Sequence, residues 1–234
     1  ARTVGDTIAM RIAYQTGLLL NGGLGLSYTP VIEFRGYADD NPGGDDHPRF
    51  MSFSTKARLL KANGHVDNFI MQHVDDDHYG RFSTNDPQVQ EGFRQMDAWL
   101  TALVQDTSAD PQIDKVRRAK PADLVNACWT RYPERMKIVE ELMDSDHPET
   151  RCQQLYPSGS FARGVAGESI RSDVIKCQLR EITPADYKVT FTAEEMDHLR
   201  KIFPEGVCDW SEPGVAQTRP LGPWLVIPSR PAPM

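Results

Sequence analysis

Asp39 and His78 are the residues of this chain whose types and spacing can carry chemistry. Asp39 closes Gly36-Tyr37-Ala38-Asp39 at the end of a short apolar run, and His78 follows a second such run thirty-nine positions later. An Asp that orients a His, which takes a nucleophile's proton and later returns it to the leaving group, is the acid and base half of a Ser-His-Asp triad. Asp40 is the alternative acid; the Gly-x-x-Asp turn that ends the run favours Asp39. Where such triads are built on a parallel sheet, Ser comes first along the chain, in a Gly-x-Ser-x-Gly turn, then Asp, then His. No serine here stands in that turn: Ser158 and Ser160 lie in Pro157-Ser158-Gly159-Ser160-Phe161, and Ser169 lies in Gly167-Glu168-Ser169-Ile170-Arg171. The nucleophile is therefore expected on another polypeptide.

Other imidazoles and carboxylates offer rival chemistry. His47, beside Asp45 and Asp46, is a candidate for lining a substrate mouth or binding metal, whereas His73 alternates within an apolar run and reads as a core histidine. The clusters Asp39-Asp40, Asp45-Asp46-His47 and Asp75-Asp76-Asp77-His78 supply oxygen and imidazole ligands, and a divalent metal held there would activate water without any serine. They lack EF-hand spacing, and no His-Glu-x-x-His motif exists, so a structural calcium is expected before a catalytic metal, and no cofactor is required. A non-catalytic structural subunit is the third reading. Ala1 carries no nucleophilic side chain, which argues against N-terminal-nucleophile self-processing.

Positioning these residues falls to alternating strands and helices. Asp6 caps a first helix on which Ile8, Ile12 and Leu19 recur, stopped at Asn21-Gly22-Gly23. The glycine-rich stretch to Leu26 follows a helix rather than a strand and reads as a turn, not a dinucleotide loop. Pro30 to Arg35 and Phe69 to Val74 are short strands. Phe50, Phe53, Ala57 and Leu60 mark a helix between them that stops near Asn63-Gly64. Asp86-Pro87 opens a long helix with Val89, Phe93, Met96, Leu100 and Leu103 on its inner face. Short connections in the order strand, helix, strand, helix mean parallel strands of an α/β sheet. Two parallel strands do not make a stable sheet by themselves, so the rest is expected from elsewhere. Tyr132 to Met143 reads as a helix. Thr192-Ala193-Glu194-Glu195 is a capping box, with Phe191 and Met196 placed as a hydrophobic staple, for a helix reaching about Phe203.

The chain has 234 residues, 39% hydrophobic and 25% charged, with a net charge of -7. That balance belongs to a folded globular protein and gives no clustered basic surface for nucleic acid. No run approaches the ~18 apolar residues a membrane helix needs, so no membrane partner is expected. Without an initiator Met or signal peptide, Ala1 reads as the start of a processed or excised chain. Cys128, Cys152, Cys177 and Cys208 show no Cys-x-x-Cys spacing and read as disulfides. Three connectivities are possible; pairing nearest neighbours closes modest loops, each worth about 3 kcal/mol. Disulfides imply a periplasmic or secreted location. The polar stretch from Ser108 to Ala119 marks an expected boundary between residues 1–107, carrying the Asp and His, and a disulfide-stapled accessory region, 108–234. Its end, Glu212 to Met234, is proline-rich and reads as an extended strap on a partner surface.

Several segments resemble the C-terminal part of large secreted bacterial α/β-hydrolases related to the tannase and feruloyl esterase group. They are Gly17-Leu18-Leu19-Leu20-Asn21-Gly22-Gly23, Thr29 to Tyr37, Arg49-Phe50-Met51-Ser52-Phe53-Ser54-Thr55, Ser172 to Leu179, and Phe203 to Ser211. The resemblance implies the last parallel strands and helices of an α/β-hydrolase fold plus a loop-rich, disulfide-stapled C-terminal region. It also implies a serine esterase whose nucleophile lies in an N-terminal part, expected as a separate chain of the same precursor, with Asp39 and His78 matching the acid and base positions. Tannases and feruloyl esterases tend to carry Cys beside the catalytic Ser and His, whereas Asp77 and Tyr79 flank His78. Arg35-Gly36 stands where those enzymes have His-Gly. Aromatic-ester specificity therefore does not carry over, and an aliphatic ester, a polyester oligomer or an amide stays open.

Overall fold

The computed structural model describes residues 4–43, 46–76, 78–80, 83–159, 161–187 and 189–222. Two compact units result: residues 20–162, and a second made of residues 1–19 with 163–234. The expected division at 107/108 falls inside the larger unit, because strands beyond it join the same sheet.

In the larger unit, β1 (Val31–Tyr37), β2 (Phe69–Asp75), β3 (Ala127–Trp129) and β4 (Lys137–Val139) form one sheet in that order. β1, β2 and β3 run parallel and β4 is antiparallel to β3. One parallel strand more than expected thus comes from this chain itself. Every residue of β2 is buried, as a strand covered on both faces requires. The other edge of β1 pairs with no strand among the described residues.

The two faces of the sheet differ in chemistry. Ile70 packs with Trp99, Val116 and Leu124, and with Ile32 and Leu103 at the margin, under α3 (Pro87–Gln105) and α4 (Gln112–Ala119). Glu33, Arg35 and His73 project to the opposite face, where α2 (Phe50–Asn63) supplies Ser52 and Phe53. Trp99 is fully buried and its indole Nε1 donates to Val116 O at 2.8 Å, which satisfies its polar atom.

Caps act as the sequence suggests. Asp86 accepts from Gln88 N at 2.8 Å, with Pro87 in the first turn, and Gly64 ends α2 in the left-handed region at φ +75°. The faces differ from expectation. α3 buries Gly92, Gln95 and Trp99, while Phe93 and Leu100 are exposed. Trp99 is buried against Ile70, Val116 and Leu124, and its docking sets the face that α3 turns inward. Gly22, at φ +82°, is obligatory: a Cβ there would lie 2.5 Å from Leu59 N.

Residues 130–136 are not helical, and the segment expected as a helix over Tyr132 to Met143 instead forms a turn and then β4. Arg135 sits at φ +46°, which no right-handed helix admits, and Ile138 alone of β4 is buried, the alternation of a strand. The Cys128–Cys152 disulfide ties β3 to α5 (Arg151–Leu155). α6 (Ala162–Val165) leads into the smaller unit.

The smaller unit holds α1 (Thr7–Gln15), the hairpin of β5 (Gln178–Arg180) with β6 (Val207–Asp209), and α7 (Ala193–Ile202). Asp6 caps α1, accepting from Ile8 N at 2.8 Å and Ala9 N at 3.1 Å. Its buried face is Met10 and Tyr14, so Ile8 and Ile12 are exposed, contrary to expectation. Tyr14 fixes that orientation because its hydroxyl accepts from Ile175 N at 2.7 Å. The capping box of α7 is complete, with Thr192 N donating to Glu195 Oε2 at 2.7 Å and Glu195 N to Thr192 Oγ1 at 3.2 Å. Cys177 and Cys208 close the hairpin. Within the segment expected as a strap, Val215 N donates to Lys176 O at 2.8 Å and Leu221 N to Gln15 O at 2.9 Å, so this part lies on its own chain. Its remainder, from 223 on, lies outside the described residues.

Candidate active site

The carboxyl ends of β1 and β2 stand side by side, Tyr37 opposite Asp75, and the candidate acid and base leave from these ends. Open parallel sheets place their crevices at such ends. Asp39 is two residues past β1, and both its carboxylate oxygens accept from Arg49 N at 2.9 Å. Arg49 is the residue immediately before α2, so the carboxylate faces the positive end of that helix.

Arg49 is fully buried and built into a polar network. Its Nε donates to His73 Nδ1 at 2.9 Å and its Nη1 donates to Gln153 Oε1 on α5. Burial pulls the guanidinium down to about 10, a drop that the Asp39 charge opposes. Since His73 Nδ1 accepts, its proton resides on Nε2, which donates to Glu33 Oε2 at 3.1 Å. Burial lowers the His73 pKa and keeps the ring neutral. For Glu33, burial works to raise the pKa, but the hydrogen bond from His73, the Arg35 charge and the Ser52 hydroxyl at 2.7 Å outweigh it and hold the group at about 2. His73 is thus the core histidine that its place in the strand suggested.

Asp40 is more exposed than Asp39 and pairs with Arg131 Nη2 at 2.6 Å. His78 is exposed and lies flat on Tyr132, with ring centroids 3.7 Å apart at 9°, and meets Tyr79 edge-on at 4.6 Å. No hydrogen bond joins His78 to Asp39 or Asp40 among the described residues. The two are brought to neighbouring strand ends, not into direct contact. His47 is exposed, with Nδ1 2.8 Å from Asp46 Oδ1, and its backbone oxygen accepts from Arg35 Nη1. Among the described residues, no three His, Cys, Asp or Glu side chains converge as metal ligands. Asp45, Asp77 and Ser160 lie outside the described residues.

The turn between β3 and β4 is the part that sequence reasoning missed. Arg131 reaches the acid loop through Asp40, while Tyr132 covers the face of His78 and donates its backbone N to Asp75 Oδ2 at 3.1 Å. The role of Arg49 was missed as well: it opens the segment Arg49 to Thr55 that carries the resemblance, but nothing there links it to Asp39, ten residues earlier. The run Arg131-Tyr132-Pro133 was the one available signal: a proline and an aromatic in a stretch otherwise read as helix.

These features define a mixed α/β protein with a parallel sheet and two disulfides. The chain belongs to the tannase-like family of unknown function DUF6351, whose profile matches residues 1–219. Membership points to an esterase-type hydrolase. No curated protein and no solved structure matches the chain. The disulfides fit an extracellular setting, and no helix among the described residues is long and apolar enough to cross a membrane.

Proposed function

We propose that this chain is the C-terminal chain of a secreted serine hydrolase that cleaves a carboxylic ester. It supplies Asp39 as acid and His78 as base, while the nucleophilic Ser stands on a separate N-terminal chain of the same precursor. The observation that carries the reading is the carboxylate of Asp39, pinned by Arg49 N at the end of β1 beside the strand that leads to His78. That the outer edge of β1 pairs with no strand among the described residues supports a partner strand there, because a parallel strand ordinarily has neighbours on both sides.

In this reading His78 takes the serine proton as the hydroxyl attacks the ester carbonyl, then gives it to the departing alkoxide. Water repeats the exchange on the acyl-enzyme and frees the acid. For Asp39 to orient the ring and stabilise the imidazolium, the two side chains must meet in the assembled enzyme. His47, at the outer rim of the Asp39 loop, is assigned to substrate contact.

His78→Ala in the complete enzyme is expected to lower kcat by at least about 1,000-fold with unchanged thermal unfolding. Turnover that survives His78→Ala but is abolished by a chelator contradicts the triad and favours the metal clusters.

A further inference from the structure

His78 stands on the connection from Asp75, the last residue of β2, to Asp86, the cap of α3. One side chain touches both ends of this connection. Arg135 Nη1 donates to Asp75 Oδ1 at 3.2 Å, and Nη2 donates to Asp86 Oδ1 and Oδ2 at 2.8 and 2.9 Å. All three side chains are at least nine-tenths buried, with the two carboxylates nearly inaccessible. Between the ends, the Arg135 guanidinium lies 5.2 Å over the ring of Tyr79, next to His78. Gln88 Oε1 takes a further bond from Nη2.

Resting on the proposed hydrolase reading, we infer that Arg135 is a positioning residue for His78: its guanidinium closes the two ends of the base-bearing connection like a clasp. The chemistry calls for arginine. Two carboxylates approaching from different elements require a planar fork with separate donors, which the compact ammonium of lysine does not provide. A loop of this length, left open at one end, samples many conformations. Held at both ends, and with Tyr132 of the same turn stacked on the imidazole, the ring has a narrow range of orientations. Arg135 occupies the left-handed region at φ +46°, strain that persists only where the surroundings fix the residue.

The Arg135 side chain is more than nine-tenths buried, so its effect passes through the base. In the chain assembled with its serine-bearing partner, Arg135→Ala is expected to raise deuterium uptake across 76–86 while peptides of β1 and α2 exchange as in the wild type. kcat should fall about 100-fold, the scale of a 1 Å misplacement, with KM changed less than about twofold. Added guanidinium ion should restore part of kcat, and ethylammonium should not.

Because Arg135→Ala strands Asp75 in the interior and can prevent folding, Asp86→Asn is the second variant. Asn caps a helix as well as Asp does, yet weakens one end of the clasp. It should show the same exchange and kcat effects, smaller in size. Wild-type uptake across 76–86 in Asp86→Asn overturns the assignment, as does a loss of kcat without that loosening. Turnover that persists in His78→Ala overturns the hydrolase reading and the clasp's role in it. His78-dependent turnover with wild-type behaviour of Asp86→Asn overturns the clasp alone.

Discussion

Asp39 and Asp40 are adjacent and chemically identical, and their surroundings separate them. Asp39 receives two hydrogen bonds from a backbone N–H at the start of α2, a donor that does not move with solvent. Asp40, itself exposed, pairs with the half-buried guanidinium of Arg131, an interaction worth about 1 kcal/mol or less. Asp39→Asn is therefore expected to lower kcat by about 10,000-fold, because the amide neither stabilises imidazolium nor enforces its tautomer. Asp40→Asn should change kcat less than about twofold and leave the unfolding midpoint within about 1 kcal/mol. Parallel kinetics of the two variants check the assignment, and equal losses would contradict it. The Gly-x-x-Asp turn already pointed to Asp39. Its donor was illegible, since nothing in the order of residues places the backbone N of Arg49 beside it.

At the scale of elements, local signals were readable and orientations were not. Asp6, Asp86 and Thr192 bond to backbone groups two or three residues away, so their sequence context suffices to mark a helix start. Which face of α3 turns inward depends on Trp99 and the sheet beneath it, a long-range fact, and the apolar positions Phe93 and Leu100 misled. β4 and the turn before it were hidden for a similar reason, because a three-residue strand gains its stability from β3 rather than from its own composition. Three cysteine pairings were open from the sequence, and the structure realises the nearest-neighbour one. The Cys128–Cys152 link anchors α5, which delivers Gln153 to Arg49. Replacing both cysteines by Ala is expected to cost about 3 kcal/mol in urea unfolding. It should also increase deuterium uptake in 151–155 before the rest of the sheet responds. Unchanged stability would show that α5 docks without the link.

For the molecule as a whole, the buried network of Glu33, His73 and Arg49 makes stability depend on pH in one direction. Glu33 is held at about 2 against an ordinary 4.5, and His73 lies below its ordinary 6.5. In both cases the unfolded chain binds more protons than the folded one, so stability falls as pH falls. The His73 contribution is complete above about pH 6.5 and is lost below it; that of Glu33 is complete above about pH 4.5 and is lost as pH drops toward 2. Urea midpoints are expected to be level from pH 8 to 7, to decline below about 6.5 and to decline further below 4.5. His73→Gln should remove the upper part of that decline whatever its effect on absolute stability. A midpoint that rises on acidification would contradict the assigned protonation states.

The division of labour between two chains is the central claim, and covalent labelling tests it most directly. An active preparation, unreduced, would be treated with a serine-directed fluorophosphonate and the labelled peptide identified by mass spectrometry. The label is expected on a serine of the partner chain and on no residue of 1–234, with labelling lost in the His78→Ala enzyme. A label on Ser158, Ser169 or any other serine of this chain would contradict the account, because the nucleophile would then reside beside its own acid and base.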